Sequence, residues 1–192
     1  ESPNGSLVNG PLWIEGTTFT IPDALACAGL PASDAYVGFG YPPALDLGEF
    51  TLETWFKRDA GGITTNTGSG GVQALPLITK GRGESENSNV DMNYFLGIRG
   101  SDGVLAADFE EGASGASPGL NHPVVGVTPI QPGVWYHAAV TYDGSKWQLF
   151  LNGKLENELV VGQPPRADSI QQAALATGLN SAGQAEGYFY GS

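Results

Sequence analysis

Two polar, glycine-bounded stretches hold most of the side chains in this 192-residue chain that are equipped for chemistry. Residues 80–93, KGRGESENSNVDMN, crowd carboxylates and amide oxygens into a turn. That is the oxygen donor set a hard cation such as Ca²⁺ takes, and Glu84, Asp91 and Asn93 are its candidate ligands. The spacing does not match an EF-hand, so the signal is one of composition, which a solvated loop whose Asx side chains cap its own backbone also produces. Residues 108–123 carry Glu110, Glu111, Asn121 and His122. The two adjacent glutamates sit at a strand end, so their side chains diverge and only one can face a given site. Glu110, Asn121 and His122 are candidate ligand contacts, with His122, ahead of Pro123, equally suited to hydrogen bonding within the loop. The third candidate region is a single aromatic, Trp55, on an otherwise polar strand face where it would serve as a platform for a sugar ring. Coverage by a long loop such as residues 61–71 is the plainer expectation for it.

The elements that must position these groups are strands. Residues 134–155 read VWYHAAVTYDGSKWQLFLNGKL, three strands joined at Asp143-Gly144 and Asn152-Gly153, dipeptides that tight hairpins favour because they tolerate positive φ. Within the middle strand Trp147, Leu149 and Leu151 point one way, Gln148 and Phe150 the other. His137, in the first strand, reads as a packed strand residue. Further strands are expected over residues 35–39, 50–58, 75–80, 94–99, 104–109 and 186–190, and an Ala- and Gln-rich segment, 166–176, is expected to hold a short helical turn. Along residues 50–57, Phe50, Leu52, Thr54 and Phe56 form the row for the core. Many short strands separated by turn signals indicate an antiparallel sandwich or barrel.

Length fits one domain, and the 41% hydrophobic content is enough for a core. A net charge of −12 with only 8 basic residues disfavours nucleic acid and anionic membrane surfaces, while leaving a cation or a neutral glycan compatible. The same acidity also keeps an extracellular protein soluble. Cys27 is the only cysteine, flanked by Leu25, Ala26 and Ala28, and reads as a small buried residue, a bridge to another chain being the alternative. There is no apolar run of membrane-spanning length and no signal peptide; Glu1-Ser2-Pro3 reads as a mature end left after processing.

The pattern Trp135-x-His137-x-Ala139-x-Thr141-Tyr142-Asp143-Gly144, followed by Leu149-x-Leu151-Asn152-Gly153, resembles the signature of laminin G-like domains of the concanavalin A-like lectin/glucanase superfamily. Phe50-Thr51-Leu52-Glu53-Thr54-Trp55-Phe56-Lys57 is similar to the early strand of those domains, and Ser33 to Gly40 to their opening strand. The resemblance spans residues 24–192 and implies an all-β, antiparallel jelly-roll sandwich of the concanavalin A-like kind, preceded by a strand-like extension over residues 1–23. It implies a non-catalytic recognition or adhesion module, extracellular or at the cell surface, that binds glycans or surface proteins, with Ca²⁺ as the expected cofactor if any. The superfamily also contains glycoside hydrolases, whose retaining mechanism needs two carboxyl groups about 5–5.5 Å apart across a cleft. Related hydrolases carry them on one strand in a Glu-x-Asp-x-Glu type motif. Here Glu84 and Glu86 lie in a loop and Glu110-Glu111 has the wrong alternation, so no enzyme is expected.

Two departures from the family stand out. Acidic residues that relatives carry just before their Tyr-Val pair and a few positions earlier are here Ala35 and Pro31. The strand that relatives use to close the sandwich does not follow Gly187-Tyr188-Phe189-Tyr190-Gly191-Ser192. An uncovered sheet edge invites a partner strand. Trp13, Ile14, Phe19 and Ile21, in two strand-like runs, are the candidate assembly residues, either folding back or adding a strand to a second copy in a structural subunit of a secreted fibre.

Overall fold

The computed structural model describes residues 4–18, 21–27 and 34–192. In chain order the strands are β1 (Ser6–Val8), β2 (Leu12–Thr18), β3 (Ile21–Ala26), β4 (Tyr36–Gly40), β5 (Phe50–Lys57), β6 (Thr65–Asn66), β7 (Gln73–Lys80) and β8 (Tyr94–Arg99). They continue as β9 (Val104–Asp108), β10 (Val124–Pro129), β11 (Trp135–Tyr142), β12 (Lys146–Leu151), β13 (Lys154–Val160), β14 (Ala173–Leu175), β15 (Thr177–Leu179) and β16 (Ala185–Tyr188). A single 3-10 turn, Pro43–Leu45, is the only helical element among the described residues. The larger sheet runs β1-β4-β14-β7-β8-β9-β10 with β6 added beside β7; the smaller runs β13-β12-β11-β5. Every pairing is antiparallel, giving the all-β jelly-roll sandwich expected.

Alternation decides which side chains meet between the sheets. Phe50, Leu52 and Phe56 of β5 and Trp147, Leu149 and Leu151 of β12 face Leu75, Leu77, Leu96, Ile98, Leu105 and Ala107 of the larger sheet. At one end Phe50, Phe109, Tyr142 and Trp147 form an aromatic cluster with ring centroids 4.8–6.4 Å apart. The Trp147 indole N–H donates to the carbonyl of His122 at 3.0 Å, which ties the cluster to the 109–123 loop.

The two hairpin turns differ. Asn152 (φ 50°) and Gly153 (φ 74°) are both left-handed, as a two-residue hairpin requires. At the other turn only Gly144 has positive φ; Asp143 acts through its carboxylate, accepting from the amides of Ser145 (2.9 Å) and Lys146 (2.7 Å). Residues 166–176 hold a single i→i+3 turn, the Ser169 amide donating to the Arg166 carbonyl at 3.1 Å, and no further helical structure, despite their Ala and Gln content. Arg166, Ser169 and Gln171 are drawn into buried hydrogen bonds with distant loops, and β14 takes up the rest. Tertiary contacts override a weak local preference here.

The N-terminal segment folds back on its own domain. β1 extends the larger sheet beside β4, with Leu7 opposite Val37, and β2–β3 form a hairpin that leads into Cys27, whose amide donates to the Gly191 carbonyl. Trp13, expected to be docked, is 69% exposed on β2 beside the exposed Leu12, while Ile14 is half-buried; Ile21 lies in β3 and Phe19 falls outside the described residues. Residues 190–192 run beside the end of β5, Ser192 and Lys57 exchanging two backbone hydrogen bonds. β5 is the last strand of its sheet, and a groove separates it from β4 and β14. The groove comprises clefts of about 280 and 320 Å³, one bordered by Thr54, Trp55 and Phe56, the other by Thr51, Leu52 and Glu53.

Candidate functional site

Along β9 and its continuation, Leu105, Ala107 and Phe109 enter the core between the sheets, so Ala106, Asp108 and Glu110 face outward. They are nonetheless buried, because the loops 66–72, 81–93, 111–123 and 164–171 roof this face. A small apolar cluster of Val72, Ala74, Met92, Phe95 and Ala106 lies under part of the roof, and a dense polar network under the rest. Arg166 binds the Glu110 carboxylate through Nε and the Glu111 carbonyl through Nη2 at 3.2 Å. Glu111 turns the other way, to His122 Nε2 at 3.0 Å and the Ser117 amide, so the adjacent glutamates diverge as alternation requires. Lys80 Nζ meets Asp46 at 2.8 Å and the Ser169 carbonyl at 2.5 Å, and burial lowers its pKa against the pull of Asp46. Asp108 accepts from the Thr67 hydroxyl at 2.6 Å, and complete burial holds its carboxyl well above the usual carboxylate range.

The three metal candidates of loop 80–93 part company. Glu84 is taken up by Ser181, whose amide and hydroxyl both donate at 2.9 Å, and by Gln171 Nε2 at 2.8 Å. Asn93 clamps Leu47, accepting from its amide and donating to its carbonyl, both at 3.0 Å. Only Asp91 reaches a shared centre, where one carboxylate oxygen of each of Asp91, Glu86 and Glu110 lies within 4.8 Å of the other two. Asp91 Oδ1 accepts from the amides of Met92 (2.9 Å) and Glu84 (3.2 Å), while Asp91 Oδ2, Glu110 Oε2 and Asn121 Oδ1 are buried with no partner. Asn121 stands opposite Glu110 in an antiparallel bridge and donates to the Ser69 carbonyl at 3.0 Å; the Ser69 amide donates to Glu86 at 2.6 Å. Burial, then the Asp91 carboxylate, push the Glu110 carboxyl up to about 8 against the opposing pull of Arg166. Glu86 was not singled out from sequence; nothing in a Glu-Ser-Glu run tells which carboxylate the fold turns inward.

Trp55 belongs to a separate surface. It projects from the outer face of β5, the opposite side of the sandwich from Glu110, Asn121 and His122, so the four candidate ligand contacts do not form one site. Residues 61–71 do not cover it: Thr65–Asn66 pairs with β7 and Ile63 with Tyr188. Trp55 is 40% exposed and packs at 5.3 Å, tilted, against the ring of His137, its cross-strand neighbour. His137 lies 3.7 Å from Glu53, and Lys57 sits 5.0 Å above the half-buried Trp135 ring. Trp55 and Trp135 line the 280 Å³ cleft together with Thr17, Asp23 and Thr54. Cys27 also lines it, its buried thiol pushed up to about 11 by desolvation.

The chain matches Laminin_G_3, described as the concanavalin A-like lectin/glucanases superfamily, over residues 31–192. No curated protein matches the sequence. Among solved structures, the binding domain of Paraclostridial Mosquitocidal Protein 1 is similar at a TM-score of 0.63 and 10% identity, covering 98% of this chain and 43% of that one. This chain therefore spans less than half of that domain. Domain 4 of AbnA, a GH43 extracellular arabinanase from Geobacillus stearothermophilus in complex with arabinotriose, is similar at 0.57 and 14% identity, covering 97% and 79%. The CBM40 of the Ruminococcus gnavus IT-sialidase, bound to alpha2,3 sialyllactose, is similar at 0.53 and 17% identity, covering 81% of each chain. At these identities the likeness is one of fold. No described helix is long and apolar enough to cross a membrane.

Proposed function

The chain belongs to the concanavalin A-like lectin/glucanases superfamily, and from that premise we propose that it is a non-catalytic module that binds glycans, free or carried on cell-surface proteins, outside the cell. The observation that carries this reading is the pair of partly exposed tryptophans, Trp55 and Trp135, at a largely apolar cleft that Thr17, Asp23 and Thr54 also border. A pyranose ring presents an apolar C–H face to an indole and hydroxyls to polar neighbours, which is the chemistry this cleft supplies. Its nearby carboxylates, Asp23 and Glu53, favour a neutral sugar over an anionic one. The carbohydrate-bound states of AbnA domain 4 and the sialidase module support the class of ligand, though not its identity.

Catalysis is disfavoured by burial. The three convergent carboxylates have a spacing that would suit double displacement, but Asp91 and Glu110 are fully buried, so no glycosidic bond can be laid across them. The test is a glycan array followed by calorimetry on the hits, with Trp55→Ala and Trp135→Ala beside the wild type. Saturable binding weakened by both substitutions supports the reading. Binding indifferent to both refutes this site, and release of reducing sugar refutes the non-catalytic assignment.

One observation favours a second reading. β5 ends its sheet beside an apolar groove, while the β2–β3 hairpin exposes Leu12 and Trp13. In a structural subunit the N-terminal strand of a second copy would pair with β5 and seat its apolar side chains in that groove. Solution mass of the chain with and without residues 1–23 decides it: concentration-dependent oligomers abolished by the deletion support assembly, and a monomer in both forms rules it out.

A further inference from the structure

We propose that Glu156 and Asn157 seal the outer edge of β10 by imitating a partner strand, and that without this seal the edge pairs with β10 of a second copy of the chain. β10 is the last strand of the larger sheet, β13 the last of the smaller, and the two pack against each other along one side of the sandwich. The register of β13 slips here: Asn157 faces Leu149 and Leu155 faces Phe150, which leaves Glu156 as an extra residue. A bulge of this kind re-aims side chains, and both Glu156 and Asn157 reach the other sheet. The Glu156 carboxylate accepts from the Val127 amide at 2.8 Å, the Thr128 amide at 2.9 Å and the Thr128 hydroxyl at 2.8 Å. Asn157 Nδ2 donates to the Val125 carbonyl at 2.8 Å. A carboxylate thus takes the place of strand carbonyls, and a carboxamide that of a strand amide, at backbone groups of β10 that a further strand would use. Gly126 makes room for this. A Cβ there would stand 3.0 Å from Glu156 Oε2, and its φ is not one that calls for glycine.

The arrangement is not an ordinary surface ion pair. Among the described residues no lysine, arginine or histidine pairs with Glu156, so its carboxylate is committed to β10. What it covers is an edge otherwise suited to pairing. Val127 is 73% exposed, and Leu155 and Val160 of β13 are exposed beside it. Apolar, β-branched side chains next to free amides are what invites strand addition. The occupant is a second copy because an antiparallel edge complements itself. β10 laid against β10 across a two-fold axis returns to the Val125 carbonyl and the Val127 amide the partners that Asn157 and Glu156 now supply. Pro129, with no amide to give, ends the run after Thr128, so the contact is short and closes as a dimer instead of growing into a fibre.

The experiment compares the full chain with Glu156→Gln and with the double variant Glu156→Ala/Asn157→Ala, by amide hydrogen exchange at low concentration and by sedimentation equilibrium. In the wild type the Val127 and Thr128 amides should exchange about tenfold more slowly than in the double variant. The double variant, shown to be folded by circular dichroism, should dimerise about tenfold more tightly than the wild type. Glu156→Gln, which keeps one acceptor, should fall between the two. Adding Val127→Lys to the double variant should restore the wild-type mass, since it sets like charges on the two edges. A folded double variant with the mass profile of the wild type overturns the proposal. So does an assembly that survives Val127→Lys, or Val127 and Thr128 amides that exchange as fast in the wild type as in the variants. If the double variant does not fold, Glu156→Gln decides: wild-type exchange and wild-type mass in that variant overturn the proposal. Strand addition at β5 is distinguished by the same data, because it would assemble the wild type as readily as the variants and be indifferent to Val127→Lys.

Discussion

Replacing Trp55 by alanine is the sharpest test of the glycan cleft, because the structure sets both its effect and its lack of side effects. A tryptophan presents roughly 250 Å² when fully open, and Trp55 is 40% exposed, which leaves about 100 Å² for a ligand. A sugar ring lying flat on the indole covers about half to all of that surface. At roughly 25 cal/mol per Å² this is worth about 1–2.5 kcal/mol, or roughly a 5- to 70-fold loss of affinity in Trp55→Ala. The fold should hardly notice. The side chain lies outside the core and gives up only its contact with His137, about 1 kcal/mol. Calorimetry against a sugar that the wild type binds, with circular dichroism to verify folding, gives both numbers. A correctly folded Trp55→Ala that binds within twofold of wild type would show that the sugar sits elsewhere.

Trp147→Phe probes the opposite case: it leaves the His122 carbonyl without its donor and opens a gap in the aromatic cluster. Urea denaturation should show a loss of about 2–4 kcal/mol, with glycan affinity unchanged; a loss below 0.5 kcal/mol, within the range of ordinary surface substitutions, would contradict the packing. Glu156 should make the protein acid-sensitive. Partial burial pushes its carboxyl up, but the amides of Val127 and Thr128 and the Thr128 hydroxyl outweigh that and hold it below the ordinary value. A depressed folded-state pKa stabilises above the unfolded value and loses that contribution as pH falls through the folded one. Glu156→Gln should therefore be less stable than wild type at pH 7 and indistinguishable from it once both forms are protonated, in paired urea melts. Cys27 should resist a thiol reagent at pH 8 in the native protein, since burial pushes its pKa up to about 11, and react promptly in denaturant. Rapid native labelling would place the thiol at the surface instead.

The strands were legible because their side-chain alternation is strong. Trp147, Leu149 and Leu151 announce one buried face without any tertiary information, and Asn152-Gly153 supplies a turn that few other dipeptides make so readily. β1, β14 and β15 are three residues each, too short to show a period, and only their neighbours hold them extended. The polar centre was half legible. A loop rich in acids pointed to Asp91, but the choice of Glu86 over Glu84 depends on Ser181 and Gln171, nearly a hundred residues away, capturing the one and leaving the other. Trp55 was correctly placed on the outer face, while its neighbours in the cleft, Asp23 and Thr17, come from a hairpin whose docking no local pattern encodes.

The loop roof also has consequences for the order of folding. Its ties join residues separated by 56 (Arg166–Glu110), 78 (Ser169–Asp91) and 97 (Ser181–Glu84) positions, whereas β11, β12 and β13 join through adjacent turns. Closing long loops costs entropy before any contact rewards it, so the meander forms early and the roof last. The 81–93 and 109–123 segments are thus the regions a protease meets in a nascent or briefly opened chain, and the rate at which they lock down sets how long the protein is vulnerable after synthesis.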